Sequence, residues 1–259
     1  LLGSPVAHSI SPLMHNESFR LLGLDYVYLC FDVNEETLPA AVAGLKTCGI
    51  RGFNLTMPNK NKIVELLDEL SPEAQLIGAV NTVLNDNGKL IGYNTDGYGF
   101  MQSVRDAGHD ITGKNITVMG VGGASMAICA QSALDGAASV HIFARRTSRY
   151  WNRTQKFAEN LSAKTGCQVC LFDNDDHTAL RDSIAQSYLL IDATSVGMVP
   201  ADVVYEPQET RLLREAKATG CQTFNGMYML LHQGAKAFQI WTGQEMPVSV
   251  IKEKYFSVK

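Results

Sequence analysis

Several short stretches carry the side chains that proton and hydride chemistry on a small polar molecule would use. Ser9 and Ser11 stand two apart just ahead of Pro12. Asn54 and Thr56 are two apart in an extended-looking run, so they share one face of a strand, and Lys60 follows just beyond Pro58. Asn81 and Thr82 interrupt the apolar run 79–84, and Tyr93-Asn94-Thr95-Asp96-Gly97 is a polar knot at another strand end. Together they offer hydroxyl, amide, ammonium and carboxylate groups to a small polyhydroxylated acid. Singly, each reads as well as a cap, a turn or a satisfied hydrogen bond; Ser11 followed by Pro12 is a good helix N-cap. An alcohol that loses hydride must also lose a proton, which a lysine with a burial-lowered pKa can take while a carboxylate orients it. Lys60 and Asp96 are of the right types, but spacing alone does not bring them together. An ordinary surface lysine is the plain alternative.

A second kind of signal lies in the middle of the chain. Gly120-Val121-Gly122-Gly123-Ala124-Ser125 falls between the apolar run 116–119 and a helical stretch, 126–134. A dinucleotide pyrophosphate needs a tight turn, close backbone approach and free N–H groups at a helix N-terminus, and small residues supply the first two. Glycines also serve plain turns; the strand-and-helix context is what favours a nucleotide here. The cofactor ribose is read at the end of the next strand, about 20 residues on. There the chain has Arg145, Arg146, Thr147, Ser148 and Arg149, three guanidinium groups and no carboxylate. That suits a 2′-phosphate, hence NADP rather than NAD; the bland alternative is a solvated basic turn.

The elements that must position these groups change character along the chain. The first third mixes strand candidates at 26–33, 52–57 and 79–84 with a helix at 38–45. A second helix start is marked by Ser71-Pro72-Glu73. Asn85-Asp86-Asn87-Gly88 before the strand 90–93 is a hairpin signal. From residue 114 onward, short apolar strands at 116–119, 140–143, 188–191 and 201–204 alternate with helices, implying a doubly wound parallel sheet. The stretches 229–238 and 248–256 read as helices. The fold expected is α/β with two domains, an α/β substrate-binding domain and a Rossmann-type doubly wound nucleotide-binding domain.

At 259 residues the chain is long enough for large cores without disulfide staples. A net charge of −4 argues against nucleic acid or an anionic membrane as partner, and no apolar stretch reaches the length of a membrane span. The first residues show no basic stretch followed by an apolar run, so no signal peptide is expected from them. Six scattered cysteines point to a reducing, cytoplasmic compartment. Cys167 and Cys170 form a C-x-x-C, but in a strand at 167–172 they would point to opposite faces, against a metal or redox role.

In their order along the chain these motifs resemble the shikimate dehydrogenase family, including its quinate/shikimate branch. The segments that carry the resemblance are Gly3-Ser4-Pro5-Val6-Ala7-His8-Ser9-Ile10-Ser11-Pro12, Asn54-Leu55-Thr56-Met57-Pro58-Asn59-Lys60, Gly78-Ala79-Val80-Asn81-Thr82, Asn94-Thr95-Asp96-Gly97 and the glycine turn. Further on come Ala193-Thr194-Ser195-Val196-Gly197-Met198, Asp202-Val203-Val204-Tyr205 and the stretch 226–233. The resemblance implies a substrate-binding and catalytic domain from 1–97 plus 228–259, with an NAD(P)-binding domain, 98–227, inserted in it. It implies Lys60 and Asp96 as catalytic pair and Ser9 and Ser11 on the substrate carboxylate. Asn54, Thr56 and Asn81 would meet ring hydroxyls, with Tyr205 and Gln233 also on the substrate side. Gly120, Val121, Gly122, Gly123, Ala124, Arg145, Arg146, Thr147 and Arg149 would hold the cofactor, with the Gly226 backbone at the nicotinamide.

The implied activity is reversible NAD(P)-dependent oxidation of shikimate to 3-dehydroshikimate, in the biosynthesis of chorismate and the aromatic amino acids. The partner expected is a small cyclitol acid, and the enzyme a monomer or a homodimer. One alternative is a quinate/shikimate enzyme with dual substrate and cofactor use; another is a non-catalytic NADP-binding sensor. Four features depart from the family pattern. Ala144-Arg145-Arg146 replaces the usual Asn-Arg-Thr/Arg, which removes one amide on the adenosine side. Thr147 stands where members using NAD often carry an acid. Tyr228 replaces the second glycine of a G-x-G-M-x-x-x-Q element, adding bulk near the nicotinamide. Met198 runs directly into Val199-Pro200-Ala201, where the family has a longer loop.

Overall fold

A computed structural model of the chain describes residues 1–194 and 210–256. The expected strand 201–204, the junction between Met198 and Val199, and Tyr205 lie outside them. The chain divides into two units, Leu1–Gly99 with Leu231–Lys259, and Phe100–Leu230. Along the chain, these boundaries fall inside two helices, α4 and α9 as numbered below.

The first unit contains β1 (Leu2–Gly3), α1 (Ser11–Leu21), β2 (Phe31–Asp32), α2 (Leu38–Thr47), β3 (Gly52–Asn54), a 3-10 turn at Lys62–Leu66, β4 (Glu69–Leu70), α3 (Pro72–Ile77), β5 (Thr82–Asp86) and β6 (Lys89–Tyr93). It also takes the start of α4 (Asp96–Asp106) and, from the end of the chain, most of α9 (Met227–Thr242) and α10 (Val248–Tyr255). Its main sheet runs β3-β5-β6-β4, antiparallel except for β4 beside β6. The pair β1–β2 is parallel, and a bridge from Leu2 to Leu55 ties β1 to the chain leaving β3. Leu2, Leu38, Phe53, Ile63, Val80 and Val83 are among the buried side chains of its core.

Local chemistry explains where these elements begin and stop. The hairpin β5–β6 turns at Asn87 and Gly88, both with positive φ (53° and 93°), as a tight two-residue turn matched to strand twist requires. The run 26–33 forms a strand only at Phe31–Asp32. Before that, the side-chain amide of Asn16 takes both backbone groups of Tyr28, donating to its carbonyl at 3.0 Å and accepting from its N–H at 2.7 Å. A side chain thus replaces the neighbouring strand. The run 52–57 is likewise a strand only through Asn54, after which Leu55 N–H donates to Asn81 O and Thr56 N–H to Leu2 O.

Unit two is built of the rest of α4, then β7 (Asn115–Met119), α5 (Gly123–Leu134), β8 (Ser139–Ala144), α6 (Trp151–Thr165), β9 (Gln168–Asp173), α7 (His177–Gln186), β10 (Leu189–Asp192) and α8 (Arg211–Ala218). Its strands are all parallel in the order β10-β7-β8-β9. The chain therefore reverses direction across the sheet between β7 and β10, the hallmark of a doubly wound fold. Ile116, Val118, Val140 and Ile142 are wholly buried, which accounts for the unbroken apolar reading of these strands. No helix among the described residues is long and apolar enough to cross a membrane.

Candidate active site

The turn after β3 and the polar ends of β5 and β6 bring the substrate-side candidates together. Lys60 Nζ donates to Asp96 Oδ2 at 2.9 Å. The lysine side chain is 25% exposed and the aspartate 9%, so the pair is partly sheltered and still reachable. Two backbone contacts fix it: Val80 N–H donates to Lys60 O at 2.8 Å, and Asp96 N–H donates to Asn94 Oδ1 at 3.2 Å. Asn94 in turn donates to Ala79 O, so the loop carrying Asp96 is anchored on the segment preceding Asn81.

Asn81 holds the other oxygen of the carboxylate. The backbone N–H of Thr95 points at Asn81 Oδ1 at 2.8 Å, and an N–H can only donate. The amide nitrogen must therefore face the other way, where it donates to Asp96 Oδ1 at 2.8 Å and to Thr95 Oγ1 at 3.0 Å. Gln233, on α9, presents Oε1 to the same nitrogen at 3.3 Å.

Asn54 lies deeper. It faces Thr82 across the β3–β5 ladder, its Nδ2 donates to Asn81 O (3.1 Å) and Thr82 Oγ1 (2.9 Å), and Tyr28 Oη donates to its Oδ1 at 2.7 Å. Its donors are already engaged by the protein. Burial pushes the Tyr28 phenol well above its ordinary pKa, so it keeps the proton it donates. The Ser11 side chain stands near this same phenol and opposes the shift slightly. Ser11 is the first residue of α1 rather than its cap; Ser9 Oγ takes the Ser11 N–H at 3.2 Å instead, because the helix begins one residue earlier than Pro12 at the first position would require. Thr56 is held close to Gly3: a Cβ on Gly3 would collide with the Thr56 methyl and sit 3.0 Å from Met57 O.

Tyr28, Thr82 and Thr95 belong to this network although the motif reading did not select them. Thr82 and Thr95 carried a signal, polar residues within or ending an apolar strand. Tyr28 carried none, since an aromatic residue in a strand-like run reads as core.

The nucleotide-side candidates cluster at the carboxyl ends of β7 and β8. Gly120 has φ +103°, and a Cβ there would stand 2.8 Å from Ala193 O, so the turn after β7 admits only glycine. A Cβ on Gly122 or Gly123 would meet nothing within 4 Å, leaving open space over the first turn of α5, whose N-cap Gly122 supplies no capping side chain. Free N–H groups, a favourable helix dipole and unobstructed approach suit a pyrophosphate. Val121 and Ala124 flank this space, and Ser125 Oγ donates to Gly120 O at 2.5 Å, bracing the turn. Beyond β8, Arg145, Arg146, Thr147 and Arg149 are exposed. Arg146 lies over the Trp151 ring at 4.8 Å and Arg149 over the Tyr150 ring at 4.7 Å, which holds two guanidinium groups ready for a phosphate. Gly226 precedes α9, whose first turn contains Tyr228; Asn225 Oδ1 accepts the Met227 N–H there. All six cysteines are free, and among the described residues no cluster of His, Cys, Asp and Glu is placed to hold a metal.

Comparison with known proteins places this arrangement. Residues 1–83 match a family described as the shikimate dehydrogenase substrate binding domain, and residues 226–254 one described as the shikimate 5'-dehydrogenase C-terminal domain. The shikimate dehydrogenase (NADP(+)) of Listeria innocua is 50% identical over an alignment covering 99% of this chain and 94% of that protein. The alignment spans 275 positions, more than the 259 residues of this chain, so the relative carries internal residues absent here. A crystal structure of shikimate 5-dehydrogenase from Listeria monocytogenes with shikimate and NAD matches with a TM-score of 0.92 at 49% identity, covering 97% of this chain and 93% of that one. Quinate dehydrogenase from Corynebacterium glutamicum with NAD matches with a TM-score of 0.85 at 28% identity, covering 99% and 97%.

Proposed function

The chain belongs to the shikimate dehydrogenase family, and from that premise we propose that it catalyses the reversible NADP-dependent oxidation of shikimate to 3-dehydroshikimate. The observation that carries the reading is the Lys60–Asp96 ion pair with Asn81 on the second carboxylate oxygen. Lys60 Nζ, as the uncharged amine, takes the hydroxyl proton as the alcohol is oxidised, becoming the ammonium, and returns it in reduction. Asp96 holds that nitrogen in place and accepts from a neighbouring ring hydroxyl, which a carboxylate fixed on both oxygens does without reorganising. The hydroxyls of Ser9 and Ser11 serve the substrate carboxylate, while Thr56, Asn81 and Gln233 serve the ring hydroxyls; Tyr205 is assigned to the same side. Asn54 acts from behind Asn81, since its donors are engaged.

The nicotinamide ring, when bound, supplies the hydride acceptor. Gly120, Val121, Gly122, Gly123 and Ala124 accommodate the cofactor pyrophosphate, and Gly226 the nicotinamide side. Arg145, Arg146, Thr147 and Arg149 accommodate the 2′-phosphate, which is why NADP is preferred to NAD. Substrate binding is assigned to 1–97 plus 228–259 and nucleotide binding to 98–227. The enzyme is expected as a monomer or a homodimer. Free thiols and a phosphorylated nicotinamide cofactor suit a cytoplasmic enzyme.

The test is a two-by-two assay of shikimate and quinate against NADP+ and NAD+, following nicotinamide reduction. Turnover highest with shikimate and NADP+ is expected. Preference for quinate moves the enzyme to the other branch of its family, and cofactor binding without turnover of either acid makes it a nucleotide sensor.

A further inference from the structure

Thr82 opens β5 and is wholly buried, so it touches neither solvent nor substrate. Its hydroxyl nevertheless occupies a specific place. Asn54 Nδ2 donates to Thr82 Oγ1 at 2.9 Å, and Thr82 Oγ1 donates to Asn81 Oδ1 at 3.0 Å. A hydroxyl has one proton, and its direction is set by its neighbours. The Asn54 amide can only donate to it, and Asn81 Oδ1 can only accept from it. The Asn81 oxygen also accepts the Thr95 N–H at 2.8 Å and lies 3.2 Å from the Thr95 hydroxyl, which stands 3.3 Å from Thr82 Oγ1.

With the Thr82 proton on its shorter contact, Asn81 Oδ1, the bonds run in a single direction. Tyr28 Oη donates to Asn54, Asn54 to Thr82, Thr82 to Asn81, and Asn81 Nδ2 to Asp96 Oδ1. Chains of donors aligned head to tail polarise one another, and this one ends on the carboxylate that pairs with Lys60. Thr82 is the link whose removal breaks the chain while leaving the packing shape intact, because valine has nearly the same volume.

We propose that Thr82 is a positioning residue for the oxidation step, its buried hydroxyl locking the Asn81 amide so that Asp96 holds Lys60 in reactive register. The proposal rests on the reading of Lys60 and Asp96 as the catalytic pair. Without the hydroxyl, Asn81 Oδ1 is held only by Thr95 and its amide gains freedom to rotate, which loosens the carboxylate in the transition state more than in the bound complex.

Thr82→Val, Thr82→Ser, Asp96→Asn and the Thr82→Val/Asp96→Asn double variant are assayed for shikimate oxidation with NADP+, each with a thermal unfolding curve. Thr82→Val is expected to lower kcat about 10-fold or more while the KM for shikimate changes less than about 3-fold, and Thr82→Ser to restore kcat to within about 3-fold. In the Asp96→Asn background Thr82→Val is expected to cost little more, since both act through one carboxylate. A folded Thr82→Val enzyme with kcat within about 2-fold of the parent overturns the proposal, as does a full, additive loss in the double variant. Should Thr82→Val not fold, Thr82→Ala is read by the same criteria. If Asp96→Asn itself retains full kcat, the catalytic-pair reading fails; if only Thr82→Val does, that reading stands and the positioning role falls.

Discussion

The imidazole of His15 lies 4.4 Å from the Tyr28 ring and 15° from parallel to it, stacked in a pocket where neither ring nitrogen finds a hydrogen-bond partner. Phe238 and Trp241 of α9 close the same pocket. Burial pushes the His15 pKa down to about 3, far below its ordinary value. The native ring stays neutral to about pH 3, while the unfolded chain takes up its proton near pH 6.5. Between these values the unfolded state holds the extra proton. Stability therefore falls as the pH drops below 6.5, by about 1.4 kcal/mol per pH unit from this group alone, and above 6.5 the group contributes no slope. Urea unfolding at several pH values, compared between the parent protein and His15→Leu, checks this. Equal acid slopes in the two would show that His15 is not the titrating group.

Lys60→Ala is expected to lower kcat by about 10²–10⁴ with a much smaller change in KM, as for removal of a general base that also leaves Asp96 without its cation. Steady-state kinetics at saturating NADP+ measures both. An unchanged kcat removes Lys60 from the chemistry.

Arg146 and Arg149 lie over aromatic rings at the end of β8, where a 2′-phosphate is expected. Replacing either by alanine is expected to weaken NADP+ binding about tenfold or more and NAD+ binding far less, since only one ligand carries the phosphate. Titration of each cofactor, followed by nucleotide fluorescence or calorimetry, separates the two. Equal loss for both would assign the arginines to a general electrostatic effect.

Gly120→Ala places a Cβ 2.8 Å from Ala193 O at φ +103°. A destabilisation of about 1–3 kcal/mol is expected, together with weaker cofactor binding. A Tm equal to that of the parent would mean that the turn relaxes without strain.

Much of this arrangement was legible before any coordinates. The apolar runs of β7 and β8 declared a parallel sheet because those strands are buried on both faces, and Asn87-Gly88 declared its turn through the positive φ both residues accept. The polar residues at 54, 60, 81 and 96 stood out because charge and amide groups have little reason to interrupt a core. What resisted reading depends on side chains reaching across the sequence. Nothing local to residues 26–30 reports that the Asn16 side chain stands in for their neighbouring strand, or that the Tyr28 hydroxyl meets Asn54. The direction of the Asn81 amide follows from the Thr95 N–H, a contact between segments fourteen positions apart.

The substrate half of the molecule is discontinuous in sequence, and that sets an order of events during synthesis. Gln233, which meets the Asn81 amide, and Trp241, whose indole N–H donates to Val83 O at 2.9 Å, both arrive on α9. A ribosome releases the whole parallel-sheet unit before it releases these two side chains. A nascent chain arrested before α9 already contains the lysine and the carboxylate, yet lacks the amide that meets Asn81 and the indole that meets Val83. Translation through the last two helices is thus the step that makes the substrate half whole.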